Sequence, residues 1–275
     1  MSELEIRRAR LQAQLAAASS LLVAYSGGVD SAYLAYEAHQ VLGDHMLAVT
    51  ALSASFSQLD REQAESCAAR LAIPHECIAI DELSNSSYRA NNPDRCFFCK
   101  DELFTRLDEL VRRRGYAAVA YGVNVDDLGD WRPGQRAAEA HRVLTPLLGA
   151  ELHKAEIREL ARNAGIPVWD RPASPCLASR LAYGVEVTPE RLAVVERGEA
   201  ALRALGFRQF RVRHHDKLAR IEISPDELPR ALDPQMTRRF VEIFKELGFT
   251  YVTLDLEGYR LGALNLVNVG LGSRT

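Results

Sequence analysis

The segment from Ser26 to Ser31, SGGVDS, combines residue types that are suited to binding an anion. It follows an apolar, strand-like run and precedes a helical pattern, so its two glycines lie at a strand-to-helix turn. At such a turn the backbone N–H groups converge, and the helix dipole favours negative charge. Gly27 and Gly28 let the backbone approach a ligand closely, because neither carries a Cβ. The sequence therefore predicts an anion site here.

The spacing of this turn differs from that of two common nucleotide-binding loops. It is neither G-x-x-x-x-G-K-[ST] nor G-x-G-x-x-G, and it contains no lysine. The lysine of the former serves transfer of a terminal phosphoryl group. An enzyme that attacks the α-phosphate must instead hold pyrophosphate as an intact leaving group, and backbone amides, Ser26, Ser31 and a metal held by Asp30 suit that task. We therefore predict adenylyl transfer, with Asp30 and Ser31 catalytic; the alternative is a turn that uses its glycines only for geometry.

Three of the five cysteines lie in segments suited to chemistry. Cys96 and Cys99 form a C-x-x-C, and Cys176 lies in the segment SPCLASR. A zinc half-site, a redox pair and an iron–sulfur ligand set are all compatible with C-x-x-C. Three cysteines that converge would suit a [4Fe–4S] cluster whose open iron can bind sulfide. Cys67 and Cys77 lie in a helical and a strand pattern and are interpreted as core residues.

A strand pattern near the C-terminus carries alternating basic residues. Arg211, Arg213 and His215 are two positions apart, so they share one face of a strand. Paired guanidiniums suit capture of phosphate or carboxylate, although an exposed edge strand would show the same pattern. Glu199 and Glu222 are either surface carboxylates or metal ligands, and the sequence alone leaves this open.

Alternating strand patterns and amphipathic helices in the first half predict an α/β fold with a doubly wound parallel sheet. Its four strands are expected in SLLVAYS, HMLAVTALS, PHECIAI and AAVAYGVNVDD. After Leu181 the pattern becomes a helix, two alternating strands, two short helices and a last strand. We therefore expect an ATP-binding domain at 1–183 and a smaller α+β domain at 184–275, for substrate binding or oligomerisation.

Composition and charge restrict the function classes. The chain has 275 residues, 47% of them apolar and 26% charged, as in ordinary globular proteins. The net charge is −3, and from Glu186 onward 14 Lys and Arg face 13 Asp and Glu, which disfavours a large nucleic-acid partner. The N-terminal segment lacks a signal-peptide pattern, and no apolar run approaches the ~20 residues of a membrane span. We expect a cytoplasmic protein without a membrane partner.

SGGVDS is similar to the SGGxDS pyrophosphate loop of the ATP pyrophosphatase (PP-loop) superfamily, which binds ATP and Mg²⁺ and releases pyrophosphate after adenylating its substrate. YGVNVDDLGDWRPG resembles the superfamily's G-x-N-x-D-[DE] segment, and PLLGAELHKAEIRELARNAGIP resembles its late helix. The resemblance implies Mg²⁺ on Asp30, phosphate on Lys154, and adenine beside Ala24, Tyr25 and Ala51. The residues implied beside the nucleotide are Gly122, Asn124, Asp126 and Asp127.

A narrower resemblance covers essentially the whole chain. SGGVDS, the R-C-x-F-C-K stretch, SPCLASR and RVRHH…LARIE resemble the LarE-type ATP-dependent sulfur transferases of nickel-pincer nucleotide cofactor synthesis. This family adenylates a carboxylate of a pyridinium dicarboxylate mononucleotide and replaces AMP with sulfur, which gives a thiocarboxylate. Members with only the cysteine that matches Cys176 sacrifice its sulfur and keep dehydroalanine. The presence of Cys96 and Cys99 is similar to the variant in which three cysteines hold a [4Fe–4S] cluster.

The same resemblance implies further partners and site residues. Substrate binding is implied for Ser179, Arg180, Arg211 and Arg213, with Arg211 and Arg213 on the phosphate. Glu199 and Glu222 would take a divalent metal. We expect a homo-oligomer that acts on a small nucleotide; the sulfur donor is not identified by the sequence.

Three alternatives remain at this point. A PP-loop enzyme that thiolates tRNA would be expected to have a basic RNA-binding face, which the nearly neutral C-terminal part does not show. An amide-forming synthetase needs no cysteines. A non-catalytic nucleotide sensor would leave the three cysteines and Arg211 and Arg213 unexplained.

Overall fold

The computed structural model describes residues 1–128 and 133–260. Contacts within the chain divide it into two compact units. The first unit contains Met1–Ser84 and Cys96–Ser174, and the second contains Asn85–Arg95 and the described residues from Pro175 onward. The domain roles predicted for 1–183 and 184–275 stay predictions. Residues 129–132 of the YGVNVDDLGDWRPG segment and residues 261–275 lie outside the described residues.

Four parallel strands form the sheet of the first unit, in the order β3-β2-β1-β4. Their bounds are β1 Leu21–Ala24, β2 Met46–Leu52, β3 His75–Ala79 and β4 Ala118–Tyr121. Leu21 lies opposite Met46 on one side and opposite Ala118 on the other. Because β2 and β4 flank β1, the winding direction reverses at β1. Sheets of this kind bind ligands at the reversal, outside the carboxyl ends of the strands.

Eleven α-helices lie within the described residues. They are α1 Glu3–Ala17, α2 Val29–Leu42, α3 Gln58–Arg70, α4 Ser86–Arg89, α5 Arg95–Arg114, α6 Pro133–Ala140, α7 Pro146–Gly149, α8 Lys154–Asn163, α9 Pro189–Ala204, α10 Leu228–Ala231 and α11 Pro234–Glu246. None of these helices is both long and apolar enough to cross a membrane.

Helices cover both faces of the parallel sheet. Leu21 and Val23 of β1 join a core with residues of α1, α2 and α8, among them Tyr33. Leu22, which points to the other face, joins a second core with residues of α5, such as Phe104. This alternation follows from the two-residue period of a strand. The predicted doubly wound α/β fold is therefore confirmed.

The second unit contains a separate, smaller sheet. β5 (Phe210–His215) and β6 (Leu218–Ile223) are antiparallel, and β7 (Tyr251–Leu254) runs parallel to β6. Phe210 and Phe207 share an apolar core with Phe244 of α11. The predicted smaller α+β sheet region in the C-terminal part is confirmed.

Candidate active site

The predicted pyrophosphate loop connects β1 to α2. β1 ends at Ala24, and Gly28 is the N-cap of α2 with an extended backbone, φ −77° and ψ 160°. Ser31 Oγ donates to the Gly28 carbonyl oxygen at 3.0 Å and accepts from the Ser26 N–H at 3.2 Å. The Ser26 and Ser31 hydroxyl oxygens are 3.2 Å apart. These bonds fix the first turn of α2, whose N–H groups and dipole favour an anion.

The two glycines of the loop have different structural roles. Gly27 has φ +71°, and a Cβ there would lie 2.8 Å from the Ala64 Cα. Glycine is therefore required at position 27 by the backbone conformation and by the packing of α3. A Cβ at Gly28 would have only Ser26 Oγ nearby, at 3.5 Å, which is an ordinary contact. The protein's own packing thus does not require glycine at position 28, whereas close approach of a ligand would.

Asp30, in the first turn of α2, meets a lysine from a distant segment. Lys154 Nζ, at the first position of α8, forms an ion pair with the Asp30 carboxylate. Asn124 Nδ2 donates to the other carboxylate oxygen at 3.4 Å. Burial raises the pKa of Asp30, and this effect exceeds the opposite effects of Lys154 and Asn124. The loop without a lysine therefore receives one from α8.

The segment after β4 supports this pair. A Cβ on Gly122 would lie 2.9 Å from the Ser31 backbone nitrogen, so the end of β4 packs directly on the loop. Asp127 accepts from the Asn124 N–H at 3.0 Å, which orients Asn124. Asp126 accepts from the Lys154 N–H at 2.6 Å. The structure thus brings together the end of β4, the loop and α8.

The strand ends predicted to receive adenine are neighbours. Ala24 is the last residue of β1, and the next residue, Tyr25, donates its N–H to the Val49 carbonyl oxygen at 2.9 Å. Thr50 Oγ1 donates to the Tyr25 carbonyl oxygen at 2.8 Å, and Ala51 follows in β2. The carboxyl ends of β1 and β2 are thereby tied together. Adenine binding at this edge stays a prediction.

The C-x-x-C cysteines lie in the first turn of α5. Cys96 is exposed and Cys99 partly buried, and residues three apart lie on the same side of a helix. The Cys99 thiol donates to Glu82 Oε1 at 2.7 Å, and Ser55 Oγ donates to Glu82 Oε2 at 2.9 Å. Glu82 is only 4% exposed. A buried carboxylate therefore holds Cys99 in a defined orientation.

The remaining cysteines occupy different surroundings. Cys67 is buried in the core as predicted, whereas Cys77 is partly buried and its thiol lies 3.5 Å from Glu65 Oε1. Cys176 belongs to the second unit, and Cys96 to the first. Among residues 1–128 and 133–260, no group of three or more His, Cys, Asp or Glu side chains is arranged to hold a metal ion.

In the second unit, Cys176 is the N-cap of a 3₁₀ turn at Leu177–Arg180. Its carbonyl oxygen accepts from Ser179 Oγ at 2.7 Å and from Arg180 Nη1 at 3.0 Å. The Arg180 guanidinium also binds the Glu199 carboxylate at 2.9 and 3.2 Å. Two residues predicted to bind substrate therefore hold the backbone of Cys176, and Glu199 is engaged by Arg180.

Arg213 and Glu222 form a buried, two-pronged ion pair between β5 and β6. Arg213 Nε lies 3.0 Å from Glu222 Oε1, and Nη2 lies 2.9 Å from Oε2. Glu222 is 0% exposed, and Arg220 Nη2 also donates to it at 3.1 Å. The metal role predicted for Glu222 would therefore compete with two arginines.

Arg211 lies on the same face of β5 as Arg213. Its guanidinium carbon is 5.1 Å from the centre of the Tyr259 ring. Burial and the neighbouring charge of Arg180 lower the pKa of Arg211. A half-buried guanidinium near other arginines is suited to an anionic ligand.

Sequence reasoning missed Glu82, the partner of Cys99. Glu82 follows the carboxyl end of β3, where ligand-binding residues of a parallel sheet concentrate, and this position was the available signal. No local pattern connects it with a cysteine 17 positions further along the chain.

Comparisons with known proteins are consistent with this arrangement. The profile of the NAD synthase family matches residues 7–128. An uncharacterized protein of Synechocystis sp. is 45% identical over 246 residues, which are 90% of this chain and 92% of that protein. The tRNA-specific 2-thiouridylase of Rickettsia felis is 30% identical over 197 residues, which span 57% of this chain and 53% of the thiouridylase.

A further relative matches over nearly the full length of both chains. Pyridinium-3,5-bisthiocarboxylic acid mononucleotide synthase of Lactiplantibacillus plantarum is 35% identical over 266 residues, 96% of each chain. This match includes the PP-loop and the second unit together. The chain therefore belongs to the family of this synthase, the LarE-type ATP-dependent sulfur transferases of the PP-loop superfamily.

Proposed function

We propose that this enzyme uses ATP to convert a carboxylate of a pyridinium dicarboxylate mononucleotide into a thiocarboxylate for a nickel-pincer nucleotide cofactor. The observation that carries the proposal is the meeting of Asp30, Lys154 and Asn124 at the first turn of α2. Such a site suits two linked phosphates and a divalent cation. The relative that aligns over 96% of the chain is named for a bisthiocarboxylic acid mononucleotide.

In the first half-reaction, a substrate carboxylate oxygen attacks the α-phosphorus of ATP, and the bond to pyrophosphate breaks. Negative charge grows on the leaving pyrophosphate, which the N-terminus of α2, the hydroxyls of Ser26 and Ser31 and the Lys154 ammonium would stabilise. Asp30 is suited to hold Mg²⁺, which supplies further charge neutralisation when bound. A free carboxylate is a poor electrophile, and adenylation gives it a leaving group.

The remaining nucleotide contacts are assigned by position. We propose that Ala24 and Ala51, at the carboxyl ends of β1 and β2, border the adenine. Gly122, Asn124 and Asp127 would line the phosphate side, where Gly122 already packs on the loop.

In the second half-reaction, sulfur attacks the carbonyl carbon of the acyl-adenylate and AMP leaves. When Cys176 is the donor, its thiolate forms a thioester with the substrate. Loss of the Cα proton and breakage of the Cβ–Sγ bond then release the thiocarboxylate and leave dehydroalanine. This elimination is redox-neutral, so it needs no oxidant.

A [4Fe–4S] cluster on Cys96, Cys99 and Cys176 is the second sulfur source that we propose. The residue types suit such a cluster, because three thiols are available and Cys96 and Cys99 lie three residues apart at the start of α5. A cluster held by three cysteines supplies an iron without a protein ligand, which can carry the sulfur to be transferred. To bind iron, the Cys99 thiol would have to give up the proton that it donates to Glu82, and the Glu82 carboxylate is the nearest group to accept it.

The acceptor would bind through the second unit. We propose that Arg211 and Arg213 take the substrate phosphate, with Ser179 and Arg180 nearby. Arg213 would then share its guanidinium between the phosphate and Glu222. A divalent metal on Glu199 and Glu222 belongs to the same proposal and requires both carboxylates to turn from their arginines.

We also propose a homo-oligomer in the cytoplasm, where thiols stay reduced. Tyr251 of β7 is 62% exposed, and Leu256, just beyond the strand, is 75% exposed. Within the described chain, β7 is an edge strand of its sheet. Such apolar edges favour association. Light scattering coupled to size-exclusion chromatography measures the oligomeric state, and a monomer at the concentration of the assay contradicts the proposed homo-oligomer.

The first experiment mixes the protein with ATP, Mg²⁺ and pyridinium dicarboxylate mononucleotide. Equal amounts of AMP and pyrophosphate are expected, with Asp30→Asn as an inactive but folded control. Release of ADP and orthophosphate contradicts the proposal. Because the chain is similar to tRNA-specific 2-thiouridylase, unfractionated tRNA is tested as a second acceptor. Thiolation of tRNA in place of the mononucleotide favours the tRNA-modifying alternative.

The second experiment identifies the sulfur source. Oxygen-free purification and reconstitution should give protein with iron and acid-labile sulfide, and both should be lost in Cys96→Ser and Cys99→Ser. Colourless, iron-free protein after reconstitution contradicts the proposed cluster. Mass spectrometry after turnover then tests for loss of H₂S from the peptide that contains Cys176.

A further inference from the structure

Asn91 is a fully buried polar residue that the proposed reaction does not use. It is 0% exposed and has φ +54°, a conformation that asparagine tolerates better than most residues. Its Nδ2 donates to the carbonyl oxygens of Ala182 at 2.8 Å and Val185 at 2.9 Å. Its Oδ1 accepts from Arg95 Nη1 at 2.6 Å. Both amide hydrogens and the amide oxygen therefore have partners.

Arg95 continues this network toward Cys176. Its Nη1 donates one hydrogen to Asn91 and the other to the Ala178 carbonyl oxygen at 2.7 Å. Arg95 is only 5% exposed. A buried guanidinium is thus used to hold a backbone carbonyl two residues after the proposed sulfur donor.

The turn that carries Cys176 is held both from within and from outside. Arg213 Nη1 of β5 donates to the Ser179 carbonyl oxygen at 3.1 Å, and Arg180 binds Glu199 of α9 at 2.9 Å. The Cys176 carbonyl oxygen accepts from Ser179 and Arg180, which belong to the same turn. The bond from Arg95 to Ala178 connects the turn to residues far earlier in the chain. Because Ala178 is fully buried while Cys176 is partly exposed, this bond fixes the base from which the thiol projects.

We infer that Arg95 and Asn91 are positioning residues for sulfur transfer, which set the direction in which Cys176 presents its sulfur. The inference rests on the proposed function, in which Cys176 delivers the sulfur or helps to hold it. A lysine would not replace the arginine fully, because its more strongly hydrated ammonium lacks the rigid, planar donor geometry. Misplacement of a reacting atom by about 1 Å can slow a reaction about 100-fold.

The test compares Arg95→Met and Arg95→Lys with Arg112→Met, a matched control at an exposed position in the last turn of the same helix. Pyrophosphate release at saturating substrate measures adenylation, and thiocarboxylate formation measures sulfur transfer. In Arg95→Met, adenylation should stay near the wild-type rate while sulfur transfer falls about 10- to 100-fold. Arg95→Lys should recover part of the loss, and Arg112→Met should change neither rate.

A proportional fall of both rates, or no fall in sulfur transfer, overturns the inference. If Arg95→Met does not fold, the two rates are measured in Arg95→Lys and Asn91→Asp instead, since each of these variants keeps part of the hydrogen-bond network. Wild-type sulfur transfer in both of those folded variants also overturns it.

A second measurement does not depend on the proposed function. The rate at which iodoacetamide alkylates Cys176 in resting, cluster-free protein is followed by peptide mass spectrometry, with buried Cys67 as the internal reference. The rate at Cys176 should rise several-fold in Arg95→Met and stay unchanged in Arg112→Met. Equal rates in the wild type and Arg95→Met overturn the positioning role even if the enzyme proves to use another acceptor.

Discussion

Lys154 and Asp30 form an ion pair that joins the first turn of α8 to the first turn of α2. The Lys154 N–H also binds Asp126, so both the backbone and the side chain of this residue are fixed beside the loop. The loop can therefore do without a lysine of its own, because α8 provides one from outside the motif. A cation placed this way can follow a departing pyrophosphate without being part of the turn.

The first prediction concerns Asp30→Asn. Pyrophosphate release should fall about 100- to 1,000-fold, as when a preorganised group that stabilises transition-state charge is lost. Stability at neutral pH should not fall. Burial raises the pKa of Asp30, so the folded state binds its proton more tightly than the unfolded state and the ionised carboxylate opposes folding above that pKa. Urea denaturation and pyrophosphate assays measure both effects; a stable variant with wild-type release contradicts the prediction.

The second prediction compares Gly27→Ala with Gly28→Ala. Gly27→Ala should destabilise the fold by about 1–3 kcal/mol, because alanine must adopt positive φ and crowd Ala64. Gly28→Ala should change stability by less than about 0.5 kcal/mol. Its methyl group would nevertheless project where phosphates are expected, so ATP affinity should fall at least about tenfold. Calorimetric titration measures the ATP affinity of both variants, and urea denaturation measures their stability. Wild-type ATP affinity in Gly28→Ala contradicts the proposed phosphate site.

The parts of the fold that the sequence predicts well have local causes. The run from Leu21 to Ala24 is apolar because both faces of β1 are covered, and the glycines that follow mark the end of the strand. α9 begins where Thr188 and Pro189 provide a cap and a first helical residue. The alternation of Arg211 and Arg213 correctly indicates a strand with one basic face.

The contacts that the sequence does not predict are non-local. Arg213 binds Glu222, although the residue directly opposite Glu222 in the register is Arg211. Such diagonal pairing depends on strand twist and side-chain reach, which residue types alone do not specify. The bond from Arg95 to Ala178 joins segments 83 positions apart, and no periodicity records it.

The third prediction concerns Glu222→Gln. This change leaves the buried Arg213 guanidinium without its carboxylate partner, so the protein should lose about 3–5 kcal/mol of stability. Glu242→Gln is the control, since Glu242 is exposed in α11 and its loss should cost less than about 1 kcal/mol. Thermal unfolding with and without EDTA separates the ion pair from a structural metal. An EDTA-sensitive melting temperature in the wild type contradicts the ion-pair account.

The fourth prediction concerns pH and His141. Its Nδ1 lies 2.7 Å from Asp108 and its Nε2 lies 3.1 Å from Asp101, and both carboxylates belong to α5, which carries the C-x-x-C. Burial alone would lower the pKa of His141, but the hydrogen bonds to these carboxylates outweigh it, and the pKa is raised. The stabilisation is therefore fully present below the unfolded-state pKa and is lost as pH rises through the higher folded-state value.

His141→Gln should accordingly destabilise the protein by about 1 kcal/mol near pH 5.5 and by less near pH 8.5, because the stabilisation declines as the folded-state imidazole loses its proton. Urea denaturation at the two pH values measures the difference. His45→Gln is the control, because His45 is exposed at the end of a short 3₁₀ turn. A loss that is equal at both pH values would mean that His141 stabilises α5 through packing against Phe104, whose ring centre is 6.0 Å away, and that its charge contributes nothing.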